Sequence, residues 1–342
     1  TGDVALNLNA KVVVATLETQ RGRFLRGEGP GLLVMDEFQM LGDPMRGVHY
    51  ELAVALAPKA TQLLFLSGSV ANPHDVVAWL QRIGRHAVLI EHKTRPVPLE
   101  ETDLANLPDS QFVQSRNFWP RMIGRAMRAD LAPVLVFAPR RAAAEQIAQT
   151  IASAIPVRDP LRLTPAQEQT AGKSLTKLLR NRVAYHHSGL SYAARAGVVE
   201  SLAKAGQLNV VVATMGLAAG INFSMRSVIV TDRRYFAGNF ERQVEADELL
   251  QMFGRAGRRG LDEVGHALYT NDLPRLSDAK ARQLRRAAQV DWPSLISVMH
   301  AAKERGEQPF AAAVQLTQSL FSVQRVPLGV EHSLETGPRP CG

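Results

Sequence analysis

Leu32-Leu33-Val34-Met35-Asp36-Glu37-Phe38-Gln39 ends a short apolar run with two adjacent carboxylates. Open α/β sheets hold their ligands beyond the carboxyl ends of buried strands, which is where this pair is expected. Adjacent acids at such a place can divide their labour. One holds Mg²⁺, with waters in between, and the other orients and deprotonates an attacking water. Taken alone, the pair also suits a solvated turn at a strand end. A second group is Gln251-Met252-Phe253-Gly254-Arg255-Ala256-Gly257-Arg258-Arg259-Gly260. On one helix, Gln251, Arg255 and Arg258 would fall at i, i+4 and i+7 and share a face. Guanidinium groups placed so suit bidentate phosphate recognition and the charge of phosphoryl transfer. Gly254 and Gly257 each cost a helix about 1 kcal/mol relative to Ala, so they predict close backbone approach or an early helix end. A surface arginine cluster is the plainer alternative.

Three further segments carry weaker signals. Val210-Val211-Val212-Ala213-Thr214 runs into Gly216, Ala218, Ala219, Gly220, Ile221 and Asn222. Small residues after a strand let backbone amides approach a phosphate, and Thr214 adds a hydroxyl. Ser67-Gly68-Ser69 puts two hydroxyls at another strand end, as suited to a helix cap as to a switch. His186 and His187 follow a short apolar stretch at Val183–Tyr185. No Cys or carboxylate stands nearby at ligand spacing, so a loop or nucleic-acid contact suits them better than a metal.

The elements that must position these residues alternate. Short, mostly β-branched runs at Val12–Ala15, Leu32–Met35, Leu63–Leu66, Ala87–Ile90, Val134–Ala138, Val210–Thr214, Val228–Thr231 and Ala267–Thr270 read as strands buried on both faces. Helical patterns cover Val48–Ala57, His74–Ile83, Arg141–Ala154, Tyr192–Ala205 and Glu241–Arg258. This alternation predicts parallel βαβ units and an α/β fold. It lapses from Glu91 to Pro108, where Arg95-Pro96-Val97-Pro98 suits a linker, and again after Asp272. Beyond that point, Leu276–Ala288, Trp292–Lys303 and Phe310–Phe321 read as helices, and the tail Gly329–Gly342 completes no element. The expected organisation is 1–108 as a first lobe with its linker, 109–272 as a second lobe, and 273–342 as the incomplete start of a helical domain.

Length and composition agree. The 342 residues are 46% hydrophobic and 21% charged, enough apolar material for packed cores and too much for disorder. A net charge of +8 favours a polyanionic partner, nucleic acid before membrane. The single cysteine, Cys341, excludes an internal disulfide framework and a cysteine-rich zinc site and suits an intracellular, cytoplasmic protein. No apolar run approaches the roughly 18 residues that a membrane span needs. The chain opens Thr1-Gly2-Asp3, without Met, and reads as entered partway through a domain.

In this order, the segments resemble the superfamily 2 DExH-box helicases, specifically the Ski-like RNA helicase group and its DNA-unwinding relatives. Thr1-Gly2-Asp3 looks like the family's motif Ib, and Ala15-Thr16-Leu17-Glu18 like its next block. Asp36-Glu37-Phe38-Gln39 stands at the DExH box, with Asp43, Arg46, Gly47 and Glu51 fitting the family's next segment. Ser67-Gly68-Ser69 stands at motif III, and Arg95-Pro96-Val97-Pro98-Leu99 resembles the exit from the first lobe. Val134–Pro139 is similar to motif IV, and His186-His187-Ser188-Gly189-Leu190 is a family mark. Ala213 to Asn222 resembles motif V, and Gln251 to Gly260 matches motif VI almost letter for letter.

The resemblance implies two RecA-like lobes with parallel sheets, the first truncated, then the helical onset of a winged-helix region. It implies ATP and Mg²⁺ as cofactors and single-stranded or partly duplex RNA as partner, with DNA possible. Asp36 would hold Mg²⁺ through water and Glu37 would activate water. Arg255 and Arg258, assisted by Gln251, would reach the γ-phosphate, with Gly220 and Asn222 also at the nucleotide. Thr1, Gly2, Asp3, Thr214 and His187 would contact nucleic acid, and Gln39, Ser67 and Ser69 would couple the two events. Relatives place a strand-separating hairpin near Tyr235 and Phe236. Gln39 stands where the family has His, Gly68 where it has Ala, and Ser224 where it has Pro. Gln39 keeps hydrogen-bonding capacity but cannot titrate. No G-x-x-x-x-G-K-[ST] loop occurs in these residues, so they are expected to bind nucleotide poorly and to be inactive alone, the loop lying upstream. Two other readings stand beside an RNA helicase: a DNA-directed translocase of the same superfamily, and a catalytically inactive scaffold that binds nucleic acid.

Overall fold

The structure, a computed structural model, describes residues 7, 10–43, 46–92, 94–113, 115–238, 240–285 and 290–321. It divides into two compact units, the first from the described residues of 1–91 and 282–342, the second from those of 92–281. Unit 1 opens with α1 (Leu17–Leu25), β1 (Leu32–Met35), a 3₁₀ turn (Phe38–Gly42), α2 (Gly47–Leu56), β2 (Gln62–Phe65) and α3 (Pro73–Arg82). Strands β1 and β2 pair in parallel, Leu32 opposite Gln62 through Met35 opposite Phe65. A parallel pair cannot close through a tight turn, and α2 makes the crossover. Phe24, Met35, Phe38, Tyr50, Val54 and Trp79 form the core of this unit. The expectation of strands buried on both faces is corrected here. Leu32 and Val34 are 52% and 48% exposed, and only alternate residues turn inward. Val12–Ala15 and Ala87–Ile90 form no strand at all. Such a run becomes a strand only where a neighbour takes its amides, and Val14 and Ile90 are exposed instead.

Unit 2 continues with β3 (Leu99–Asp103), α4 (Phe118–Arg128), β4 (Val134–Ala138), α5 (Arg141–Ala154), α6 (Pro165–Arg180) and β5 (Val183–His186). A π-helix (Ala193–Glu200) then runs into α7 (Ser201–Lys204), followed by β6 (Val210–Thr214), a 3₁₀ turn (Met215–Gly220) and β7 (Ser227–Val230). Strands β8 (Arg234–Ala237) and β9 (Phe240–Gln243), α8 (Ala246–Phe253) and β10 (Gly265–Tyr269) complete it. Six strands form one sheet in the order β3-β10-β7-β4-β6-β5, every pair parallel. The fold is α/β. Strands β4 and β7 are buried along their whole length, and β6 up to Thr214. Burial on both faces is what makes such strands continuous apolar runs in the sequence.

Four expectations change in this part of the chain. The linker reading of Glu91–Pro108 misses β3, which pairs with β10. Its sequence Leu-Glu-Glu-Thr-Asp carries too little apolar signal because it lies at the sheet edge. Tyr192–Ala205 is helical but opens as a π-helix. Glu241–Arg258 is not one helix: its start is strand β9, which pairs antiparallel with β8, and α8 stops at Phe253. Leu276–Ala288 yields only a 3₁₀ turn at Leu276–Asp278 among its described residues. The chain then returns to unit 1. Arg282 N–H donates to Ser69 O and Ala71 N–H to Arg282 O, both at 2.8 Å. Leu284 and Phe321 join the core around Trp79, and α9 (Trp292–Glu304) and α10 (Pro309–Gln318) match the expected helices closely. The tail from Gly329 lies outside the described residues.

Candidate functional site

Asp36 and Ser67 follow the carboxyl ends of β1 and β2, which are parallel neighbours, so both leave the sheet at the same edge. Asp36 is exposed, and its Oδ1 accepts the Glu37 N–H at 3.0 Å. Glu37 itself takes a left-handed backbone, φ 52° and ψ 45°. A non-glycine residue held there costs about 1–2 kcal/mol, and such strain gathers at functional sites. It turns the chain sharply between the two acids, so Asp36 and Glu37 do not continue the strand. Phe38 N–H is anchored on Leu66 O at 3.1 Å. Gln39 is buried, and its amide is used at both ends. Nε2 donates to Glu37 Oε2, and Oε1 accepts the Ser67 hydroxyl. Ser67 Oγ in turn accepts the Ser69 N–H at 3.2 Å. One hydrogen-bonded chain thus joins Glu37, Gln39, Ser67 and Ser69. Among the described residues no three His, Cys, Asp or Glu side chains cluster as a metal cage. Asp36 alone would suit an Mg²⁺ ion whose other ligands are waters and phosphate oxygens.

In unit 2, β4, β5 and β6 lie side by side and parallel, so the segments that follow them leave the sheet at one edge, whereas Arg255 to Gly257 lies beside Met225 and Gly265, at the starts of β7 and β10. Thr214 ends β6, Gly220 closes the 3₁₀ turn beyond it and Asn222 lies two residues on, both of these exposed. His186 ends β5, with His187 next to it. Both imidazoles are buried and each faces a carboxylate: His186 Nε2 lies 3.0 Å from Glu200 Oε1, and His187 Nε2 lies 3.0 Å from Glu145 Oε1. Gly189 N–H donates to His187 Nδ1, so a neutral ring with its proton on Nε2 satisfies both nitrogens. His187 therefore orders its loop from beneath, and its ring stacks on Tyr185 with centroids 5.0 Å apart.

Burial pushes the His186, His187 and His266 imidazoles below the usual histidine range, against the pull of nearby carboxylates. A depressed folded-state value means that the unfolded chain binds more protons once the pH drops below about 6.5. Their contribution is complete above that pH and is lost as the pH falls through the folded values. The urea midpoint of unit 2 is expected to be lower at pH 5.5 than at pH 7.5. His186→Gln should flatten that dependence.

Helical spacing alone would put Gln251, Arg255 and Arg258 on one face, and the structure corrects this. Only Gln251 lies in α8, which is capped at Gly254. Gly257 has φ +84°, and a Cβ there would come within 2.5 Å of Val97 Cγ1. The arginines sit on a loop that several partners fix. Met225 N–H donates to Arg255 O at 3.0 Å, and Gly257 N–H to Met225 O at 2.8 Å. Arg95, half-buried and with its pKa lowered by that burial, donates from Nη2 to Gly254 O and Ala256 O at 2.8 and 2.6 Å. Nothing local in the sequence reveals this task for Arg95. Arg258 lies in a bidentate pair with Asp262, for which the four-residue spacing is the available sequence signal. The hairpin β8–β9 occupies the segment around Tyr235 and Phe236. Tyr235 donates its hydroxyl to Glu248 Oε1 at 2.7 Å, tying the hairpin to the first turn of α8. Burial and the Glu248 carboxylate push the Tyr235 phenol well above its usual range. Thr1, Gly2 and Asp3 lie outside the described residues.

Residues 161–260 match the helicase conserved C-terminal domain. Over 244 residues, 70% of this chain and 35% of the relative, the chain is 32% identical to the ATP-dependent DNA helicase Hel308 of Thermoplasma acidophilum. These findings support a relationship to nucleic-acid helicases. The "Probable helicase HelY" of Mycobacterium tuberculosis is 26% identical over an alignment that takes in all of this chain and 45% of the relative. The DExH-box ATP-dependent RNA helicase DExH15 of Arabidopsis thaliana is 27% identical over 78% of this chain and 30% of its own length. The chain thus spans less than half the length of these helicases. The matched segment 161–260 takes in His186–Leu190, Thr214–Asn222 and Gln251–Gly260. Gly172-Lys173-Ser174 carries the last part of a phosphate-loop pattern, but Gln167 stands where its first glycine belongs and the segment lies inside α6. A phosphate loop follows a strand and opens a helix, so this is not one. No helix of the described residues is long and apolar enough to cross a membrane.

Proposed function

We propose that this chain is the part of an ATP-driven nucleic-acid motor that carries the residues acting on the γ-phosphate and grips one strand, without turning over ATP by itself. The observation that carries the reading is the bonded chain Glu37–Gln39–Ser67–Ser69, which ties a strand-end carboxylate pair to the neighbouring strand end. A carboxylate fixed by an amide that is itself fixed by a hydroxyl can report its occupancy to the next loop. In this reading Asp36 takes Mg²⁺ through water and Glu37 deprotonates the attacking water. When bound with ATP, the ion supplies neutralisation of phosphate charge. Arg255 and Arg258 receive the γ-phosphate, Gln251 assists, and the turn at Gly220 and Asn222 approaches the nucleotide. Thr214 and Thr1-Gly2-Asp3 hold a strand backbone, with His187 ordering its loop. In this reading the first lobe ends near 91 and the second takes in 92–281, because β3, inside the 1–108 expected as first lobe and linker, pairs with β10. The segment from 282, the onset of a winged-helix region, packs with the first lobe, and the motor acts in the cytoplasm.

The Ski-like order of motifs points to RNA as the strand. A DNA reading has its own observation behind it, the 32% identity to a protein named as a DNA helicase. Unwinding of matched RNA and DNA duplexes by the full-length protein separates the two. RNA unwound faster supports the first, and DNA alone unwound supports the second. A scaffold without turnover would not need Asp36, Glu37, Arg255 and Arg258 together.

The bonded chain makes a further prediction. Gln39→Ala leaves the Glu37 carboxylate and the Ser67 hydroxyl without their shared partner, and should lower the unfolding free energy of unit 1 by about 1–2 kcal/mol. ATP hydrolysis should persist while strand unwinding per ATP falls. Equal losses of both would show that Gln39 serves hydrolysis and not coupling.

A further inference from the structure

We propose that Asp262 is a positioning residue that presets Arg258 for its contact with the γ-phosphate. The proposal rests on the assignment of Arg258 to the γ-phosphate and adds how that side chain is held. Arg258 donates from Nε to Asp262 Oδ2 and from Nη2 to Oδ1, both at 2.8 Å, and its backbone N–H reaches Oδ2 at 2.9 Å. Asp262 N–H returns a bond to Arg258 O at 2.9 Å, closing the turn between them. The Asp262 side chain is 1% exposed, whereas that of Arg258 is 20% exposed. The carboxylate is therefore the fixed partner and the guanidinium the one that reaches outward.

A second arginine locks the carboxylate. Arg226 Nε donates to Asp262 Oδ1 at 2.9 Å, and its Nη1 donates to Asp130 O and Oδ2 at 2.6 and 2.7 Å. Burial disfavours the charged carboxylate, but the bonds from Arg258 and Arg226 outweigh it and hold the Asp262 carboxyl well below the usual range. A guanidinium has five N–H donors. Asp262 takes its Nε–Nη2 edge, which leaves the Nη1 end as the edge that can meet a phosphate. A free arginine side chain samples many rotamers, and fixing it in advance removes that entropic cost from the transition state. Arg226 shares the Asp262 carboxylate with Arg258, and Asp130 pairs with the other end of Arg226, so the two guanidiniums and two carboxylates balance. The sequence places Asp262 just beyond Gly260, outside the arginine motif itself.

The test is steady-state ATP hydrolysis by the full-length protein with single-stranded nucleic acid at saturation. Asp262→Asn keeps the size and removes the charge, and should lower kcat about 10- to 100-fold while KM for ATP changes less than about threefold. Asp262→Glu should recover part of that loss. The double variant Asp262→Asn with Arg258→Ala should be no slower than Arg258→Ala alone, because both changes act through one side chain. Multiplying losses in the double variant, or an unchanged kcat in Asp262→Asn, overturns the positioning role alone. An unchanged kcat in Arg258→Ala overturns it together with the γ-phosphate reading of Arg258. If Asp262→Asn unfolds, Asp262→Glu decides by the same cycle with Arg258→Ala.

Discussion

Glu37→Gln is expected to lower ATP turnover by about 10²- to 10⁴-fold, the span associated with losing a positioned general base. The amide keeps an oxygen that accepts from Gln39 Nε2, so the bonded chain to Ser67 survives the change. It also tolerates the left-handed backbone at this position as well as the acid does. Binding of nucleotide should therefore be spared, and equilibrium binding of a fluorescent ATP analogue to the full-length variant checks this. Turnover retained within about threefold would remove Glu37 from the role of base.

Gly257→Ala carries the largest expected effect on stability. The positive φ of +84° already costs an L side chain about 1–2 kcal/mol. The added Cβ would stand 2.5 Å from Val97 Cγ1 and 3.2 Å from Gly265 Cα, so backbone and a buried side chain must move. Overpacking adds about 1–3 kcal/mol, for a total loss of about 2–5 kcal/mol in urea unfolding. Gly260 supplies the control. Its φ is +78°, but a Cβ there meets nothing within 4 Å, so Gly260→Ala should cost only the backbone strain. Equal losses at the two positions would show that Gly257 is not packed as described. Because Gly257 N–H also bonds Met225 O, the same change should displace Arg255 and Arg258 and depress turnover.

The central strands of unit 2 are legible in the sequence because they are buried on both faces, so composition alone marks them. Strand β3 is not, since an edge strand of Leu-Glu-Glu-Thr-Asp looks like a linker until β10 is seen beside it. Val12–Ala15 and Ala87–Ile90 mislead the other way. Their side chains favour a strand, but pairing is a property of neighbours that a local run does not contain. At the site, the carboxylates Asp36 and Glu37 and the hydroxyls Ser67 and Ser69 are visible as types at strand ends, and Gln39 as a departure from a family pattern. That the Gln39 amide bridges Glu37 and Ser67 depends on which strands are adjacent. For the arginine motif, helical spacing extends past Gly254 only if the early end signalled by the glycines is set aside. The loop conformation is set by Arg95, Met225 and Asp262, two of which lie far away in the chain.

The central claim is that hydrolysis of ATP at Glu37 drives movement of a nucleic-acid strand. The direct measurement is strand release from a tailed duplex by the full-length protein, followed together with phosphate release, for wild type and Glu37→Gln. The account predicts strand release only with ATP, phosphate release stimulated by the single strand, and loss of both in Glu37→Gln. Strand release that continues in Glu37→Gln, or hydrolysis indifferent to nucleic acid, would contradict it.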